Sequence, residues 1–286
     1  MRKPNNLPLY FLYLFSALNA FSCFAQYTGT SFENARRTKE ATFVYIYDEV
    51  YGFTAKNETG LVSGVLVDMM QEFEAFVRAK EGIQITSEFI DERDFDLFLK
   101  NVRTGNGAVF GLSNISINEE RKKIYSFSPP YLENVSVLVS NAGAPMLGSM
   151  DDIAVLFEGM TAYTLSSSTY QQRLLEIKSM HFADMQIIEM AKMDPIMTQL
   201  RTNSKAFAVL DLNVYLEALQ KKWPIKRHAI GDKKGDQFGI IMPKNCDWEP
   251  LLAEFLGEFY GSTAYGQIIS KNLGGSALKL INSLNR

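Results

Sequence analysis

A carboxylate or an ammonium taken out of water costs several kcal/mol unless it is paired and hydrogen-bonded. Residues able to do that pairing are therefore the first thing to look for in the chain. Arg121 offers a planar fork that can hold both oxygens of a carboxylate. It lies a few residues after Asn114 and Ser116, which can add an amide, a hydroxyl or a backbone N–H. A second cluster, Ser166-Ser167-Ser168-Thr169-Tyr170, follows an apolar run and opens a helical pattern. Such a cluster caps orphan N–H groups and leaves a positive helix N-terminus that suits an anion. Asp211 closes the run Ala206-Phe207-Ala208-Val209-Leu210, and an acid at the carboxyl end of a parallel strand faces the crevice where α/β proteins bind ligands.

Each of these has a plainer reading. Arg121 can belong to an exposed helical start with Glu119, Glu120, Lys122 and Lys123, since most charge clusters are solvated faces. The serine cluster can be a helix cap and nothing more, and Asp211 can be the N-cap of the helix after it.

Other chemistries lack support. There is no H-E-x-x-H, C-x-x-C, P-loop or G-x-S-x-G, and His181 and His228 lie far apart in sequence. Zinc is not expected, and no cofactor is expected. Gly105, Gly107 and Gly111 follow a helix and precede a strand, the reverse of what a dinucleotide cradle needs. The 29 basic and 32 acidic residues nearly cancel, so a nucleic-acid partner has no electrostatic footprint. Three glycosylation sequons, at Asn57, Asn114 and Asn134, carry no meaning in a prokaryotic export route.

The elements that must position these residues follow from hydrophobic period. Residues 1–25 read as a secretory signal: Arg2 and Lys3 precede an uncharged stretch from Leu7 to Ala25, with cleavage expected after Ala25. The rival reading makes Cys23 a lipid-modified residue. Cleavage after Ala25 leaves Cys246 as the only cysteine, so no internal disulfide is expected. Gln26 to Glu40 reads as a loose leader, with order beginning at about Ala41. Thr42–Tyr47 then reads as a strand, and Leu66, Met69, Met70, Phe73, Phe76 and Val77 recur at helical spacing up to Gly82. A strand through Ile83 and Phe89, a helix through Phe95 and Val102, and the strand Ala108–Leu112 complete the unit. After the loop Ala142–Gly148 the alternation restarts: strand Thr161–Leu165, helix Tyr170–Met180, strand Met185–Glu189, helix Pro195–Thr202, strand Ala206–Leu210, helix Val214–Leu219. Two α/β units of parallel sheet and flanking helices imply two lobes with a ligand cleft between them. With 47% apolar and 12% aromatic content over 286 residues, the chain can bury cores of that size.

The run Asn114-Ile115-Ser116-Ile117-Asn118-Glu119-Glu120-Arg121, continuing through Phe127-Ser128-Pro129-Pro130-Tyr131, resembles the "S-I-T-x-x-R-x-x-x-x-x-F-S-x-P-Y" signature of family 3 extracytoplasmic solute-binding proteins. Phe53 with Gly60-Leu61-Val62-Ser63-Gly64 resembles the same family's "P-F … G-x-L-x-G" opening. The resemblance covers about Ala41 to Ile281. It implies a two-lobed periplasmic-binding-protein fold of type II, with lobe 1 at 41–134 plus 239–286, lobe 2 at 135–238, and two hinge crossings near Glu133–Val135 and Phe238–Ile240. By the same resemblance Arg121, Ser116 and Asn114 contact the backbone groups of an amino-acid ligand. Ser168 and Thr169 hold its carboxylate in a turn where Ser167 replaces the usual glycine. Asp211 pairs with its ammonium, although Ala206 replaces the first acid of the family's segment. Tyr47 or Tyr51 walls the pocket, with Gly52 where the family has proline.

The implied function is an exported, monomeric, non-enzymatic protein that closes on a small amino acid or related carboxylate and presents it to the permease of an ABC importer. A dehydratase-like enzyme using Glu133 or Asp211 for proton transfer, or a sensory ligand-binding protein, remain open on the same scaffold.

Overall fold

The computed structural model describes residues 27–57 and 59–274. The signal segment with Cys23, and the last twelve residues assigned to lobe 1, lie outside the described residues.

The first lobe runs through α1 (Phe32–Thr38), β1 (Glu40–Tyr47), the short β2 (Ala55–Lys56) and β3 (Val62–Ser63), α2 (Val65–Glu81), β4 (Gln84–Asp91), α3 (Phe95–Thr104), β5 (Val109–Leu112), α4 (Glu119–Ile124) and β6 (Tyr125–Phe127). The chain then enters a second sheet with β7 (Leu132–Asn141), followed by α5 (Ile153–Leu156), β8 (Thr161–Leu165), α6 (Thr169–His181), β9 (Gln186–Met190), α7 (Met193–Thr202), β10 (Ala206–Asp211), α8 (Leu212–Gln220) and β11 (Ile225–Phe238). It returns to the first sheet with β12 (Ile241–Pro243) and ends in α9 (Glu249–Phe259) and α10 (Thr263–Leu273).

Strand order is β4-β1-β5-β12-β6 in the first sheet and β11-β7-β10-β8-β9 in the second. β4, β1 and β5 are mutually parallel, as are β10, β8 and β9, while β12 and β7 run antiparallel to their neighbours. The antiparallel strands are those that carry the chain between lobes. The two crossings are tied to each other: Tyr131 N–H donates to Phe238 O at 2.9 Å, and Ser128 N–H to Ile240 O at 2.9 Å. Tyr131, Phe238 and Phe53 pack as a fully buried aromatic cluster beneath them.

The segment before Ala41 is not a loose leader. It forms α1, with Ser31 Oγ accepting from Asn34 N–H, and Ala35 is fully buried. Asp247 accepts from Phe32 N–H at 2.8 Å and Trp248 Nε1 donates to Thr30 O at 2.8 Å. A helix of two turns gives too short a periodic signal to be read, and its partners come from the far end of the chain.

Elsewhere period and burial agree. The apolar stripe of α2 puts Leu66, Met69, Met70, Phe73 and Val77 in the core, and Gly82 in the left-handed region (φ 67°) ends the helix. All six residues of β10 are buried, as expected for a strand covered on both faces. No helix among the described residues is long and apolar enough to cross a membrane.

Candidate functional site

A cavity of about 510 Å³ opens between the lobes. Its walls are strand ends and helix starts: the turn after β1, the loop after β5, α4, the N-terminus of α6, the start of α7 and the last turn of α8.

Asn118 caps α4, its side chain accepting from Arg121 N–H at 2.8 Å. That start aims Arg121 inward while its neighbours stay outside. Lys122 pairs with Glu119 and Lys123 with Glu120 on the exposed face, whereas Arg121 is only 9% exposed. Its guanidinium donates to Ser116 O and, across the cleft, to Ser167 O, each at 3.2 Å, and lies 6.0 Å from the Phe95 ring centre. No carboxylate among the described residues forms an ion pair with it. Burial lowers its pKa from the ordinary value, but a guanidinium stays charged at any physiological pH. Asp211 and Asp236 are near enough to favour its charge without contacting it, so the fork of this buried cation on the cavity wall is left open to an anion.

On the opposite wall Ser168 caps α6: its Oγ donates to Leu165 O at 2.6 Å and accepts from Gln171 N–H at 3.3 Å. Ser167 adopts φ 55°, the left-handed region that a glycine would occupy more easily. The turn's geometry is thus kept with a serine in it, and the Ser167 carbonyl faces Arg121. Thr169 lines the cavity and its Oγ1 lies 3.4 Å from Ser116 Oγ on the other lobe. Further bonds cross the cleft: Phe95 N–H to Ala191 O at 3.1 Å, Ser166 Oγ to Asp96 Oδ2 at 2.7 Å, Tyr51 OH to Gln220 Oε1 at 2.9 Å, and Asn114 Nδ2 to Asn213 Oδ1 at 3.2 Å. The lobes are therefore in a closed arrangement.

Of the residues expected at the site, Arg121, Asn114, Ser168, Thr169 and Tyr51 line the cavity. Ser116, Asp211 and Tyr47 do not. Ser116 faces Thr169 and supports Arg121 through its carbonyl. Tyr47 is 1% exposed, with Lys56 Nζ 5.9 Å from its ring centre. Asp211 is 2% exposed and committed elsewhere: Asn134 Nδ2 donates to its Oδ1 at 2.6 Å and Tyr170 OH to its Oδ2 at 2.5 Å. Burial raises its pKa to about 7 against those bonds. It occupies the N-cap position of α8 without a side-chain cap bond.

Sequence reasoning passed over Asp48, which lines the cavity directly after β1. Burial, with Asp91 and Glu49 nearby, raises its pKa to about 7. The rule that drew attention to Asp211, an acid at the carboxyl end of a parallel strand, applies equally to Asp48.

Two α/β lobes joined by two crossings, with an anion-ready cleft between them, define the class of two-lobed binding proteins. Residues 43–275 match the family described as bacterial extracellular solute-binding proteins, family 3. The chain belongs to that family. Searching curated proteins gives no significant match. Among solved structures it resembles an ancestral arginine-binding protein bound to glutamine, at 21% identity and TM-score 0.67, over 82% of this chain and 98% of the other. The arginine-, lysine-, histidine-binding protein ArtJ of Geobacillus stearothermophilus aligns at 19% identity and TM-score 0.67, over 84% and 99%. The GluR0 ligand-binding core of Nostoc punctiforme, in complex with L-glutamate, aligns at 18% identity and TM-score 0.62, over 81% and 99%. At such identities the likeness establishes the fold.

Proposed function

We propose that this chain is an exported solute-binding protein that captures a small amino acid or related carboxylate between its lobes, without turning it over, and presents the closed complex to the permease of an ABC importer. The observation that carries the reading is Arg121: a buried guanidinium, lining the interlobe cavity, with no carboxylate partner among the described residues. The ligand carboxylate docks on its fork and on the N-terminus of α6, where Ser168 and Thr169 sit. Asn114 and Tyr51 complete the contacts, while Ser116 orients Arg121. Similarity to proteins whose structures hold arginine, glutamine or glutamate agrees with an amino-acid ligand.

The lobe limits are 41–134 with 239–286, and 135–238. The sheet crossings after Phe127 and Phe238 support that division, with residues 27–40 added to lobe 1 through their contacts with Trp248 and Asp247. A ligand that touches Arg121 on one lobe and α6 on the other favours the closed state over the open one by those extra contacts. Thermal shift against the common L-amino acids and small dicarboxylates tests the reading. A ligand raises the melting temperature in a concentration-dependent way; no shift with any of them at millimolar concentration removes it.

A further inference from the structure

We infer that Lys221 sets the charge a ligand's side chain can carry. Its ammonium fills the cation position at the far end of the cleft, so the compounds accepted are amino acids with a neutral or acidic side chain, not a basic one. This rests on the amino-acid reading above and extends it from the carboxylate end of the cavity to the other.

One face of α8 lines the cavity along its length, since Val214, Glu217 and Lys221 recur at three-and-four spacing. The start of that helix is tied to the carboxylate end. Asp211, its N-cap residue, accepts from Tyr170 in the first turn of α6, and Asn213 accepts from Asn114. At a rise of about 1.5 Å per residue, Lys221 stands about 10 Å beyond Val214. An extended arginine or lysine whose carboxylate sits on Arg121 and α6 would bring its side-chain charge to this place.

The place is already taken. Lys221 Nζ lies 4.9 Å from the centre of the Trp223 ring and 5.8 Å from that of Tyr51, and it pairs with Glu217. All four residues line the cavity. Two aromatic rings and a carboxylate make a box for a cation. Arg201, which does not line the cavity, lies 4.7 Å from the centre of the same Trp223 ring and packs against it. Tyr51 comes from the first lobe and the other three from the second, with Tyr51 OH donating to Gln220 Oε1 at 2.9 Å, so the box is complete only when the lobes are shut. A basic side chain arriving here meets a like charge and finds the rings and Glu217 engaged. A neutral or acidic side chain needs neither.

Calorimetric titration of the mature chain, K221A and K221A/E217Q with the common L-amino acids tests this. Wild type should bind its best neutral or acidic amino acid at least about tenfold more tightly than L-arginine or L-lysine. K221A empties the box, so the affinity for L-arginine should rise at least about tenfold relative to that ligand, and adding E217Q should take most of the gain back. A wild type that prefers a basic amino acid, an unchanged ratio in K221A, or a gain that survives E217Q overturns the assignment while leaving the amino-acid reading intact. If wild type binds no amino acid at all, the reading itself fails and the assignment with it. The Lys221 side chain is half-exposed, so K221A opens no core cavity; K221M, which removes the charge and keeps the stem, should shift the ratio in the same direction if K221A melts early.

Discussion

Replacing Arg121 by alanine separates what this residue does for the fold from what it does for a ligand. Within the protein its guanidinium makes two hydrogen bonds, both 3.2 Å and both to backbone carbonyls. Losing them costs about 1 kcal/mol per bond, and only the one to Ser167 O ties the lobes together. The ligand-bound state loses more. A carboxylate in this cavity forms two charge-assisted bonds to the fork, and removing one member of a desolvated charge pair costs about 2–5 kcal/mol of affinity, or about 30- to 5,000-fold in Kd. Arg121→Lys keeps the charge but not the fork, so it should fall between wild type and Arg121→Ala. Titration calorimetry on the three proteins, with melting curves to confirm folding, supplies the numbers. If both variants are folded and bind a wild-type ligand within about threefold of the wild-type Kd, the carboxylate does not sit on Arg121.

Three further outcomes follow from the same geometry. Gly64 precedes α2 at φ 136°, and a Cβ there would lie 2.3 Å from Phe53 O, so Gly64→Ala should cost at least about 3 kcal/mol in urea unfolding; a loss below about 1 kcal/mol would contradict the backbone described. Asp211 has a folded pKa of about 7 against an ordinary 3.8, so between those values the folded chain holds a proton that the unfolded chain has released. Its contribution to stability is therefore full below the lower value and lost as pH rises toward 7, by about 4 kcal/mol at most. Asp48 contributes with the same sign, and Asp211→Asn should flatten the slope of unfolding free energy across that window without abolishing it; an unchanged slope would refute the burial argument. Ser168→Ala removes the α6 cap and should lower stability by about 0.5–2 kcal/mol, read as a fall in Tm; an unchanged Tm would mean that the cap is not stabilising.

Much of the architecture was legible because it rests on local period. The stripe of α2 and the uninterrupted apolar run of β10 announce a core helix and a doubly covered strand, and the β–α alternation announces the lobes. β11 was not legible. Its sequence, Ile225 to Phe238, is mostly polar, and it is a strand because it pairs along β7 with two register shifts that accommodate its irregular pattern. The site divides in the same way. Arg121 stood out by residue type and by the motif around it. The engagement of Asp211 did not, because its partners lie 77 and 41 residues away in sequence. Asp48 was passed over since an acid after a strand acquires meaning only when the strand beside it and the opposite lobe enclose a cavity.

The central claim is that the interlobe cleft recognises a carboxylate through a buried, unpaired guanidinium. Titrating the protein with its best amino-acid ligand and with the α-carboxamide of that ligand tests it most directly, since the two differ in the one group that Arg121 is said to hold. The amide should bind at least about thirtyfold more weakly. Equal affinity for acid and amide would contradict the account.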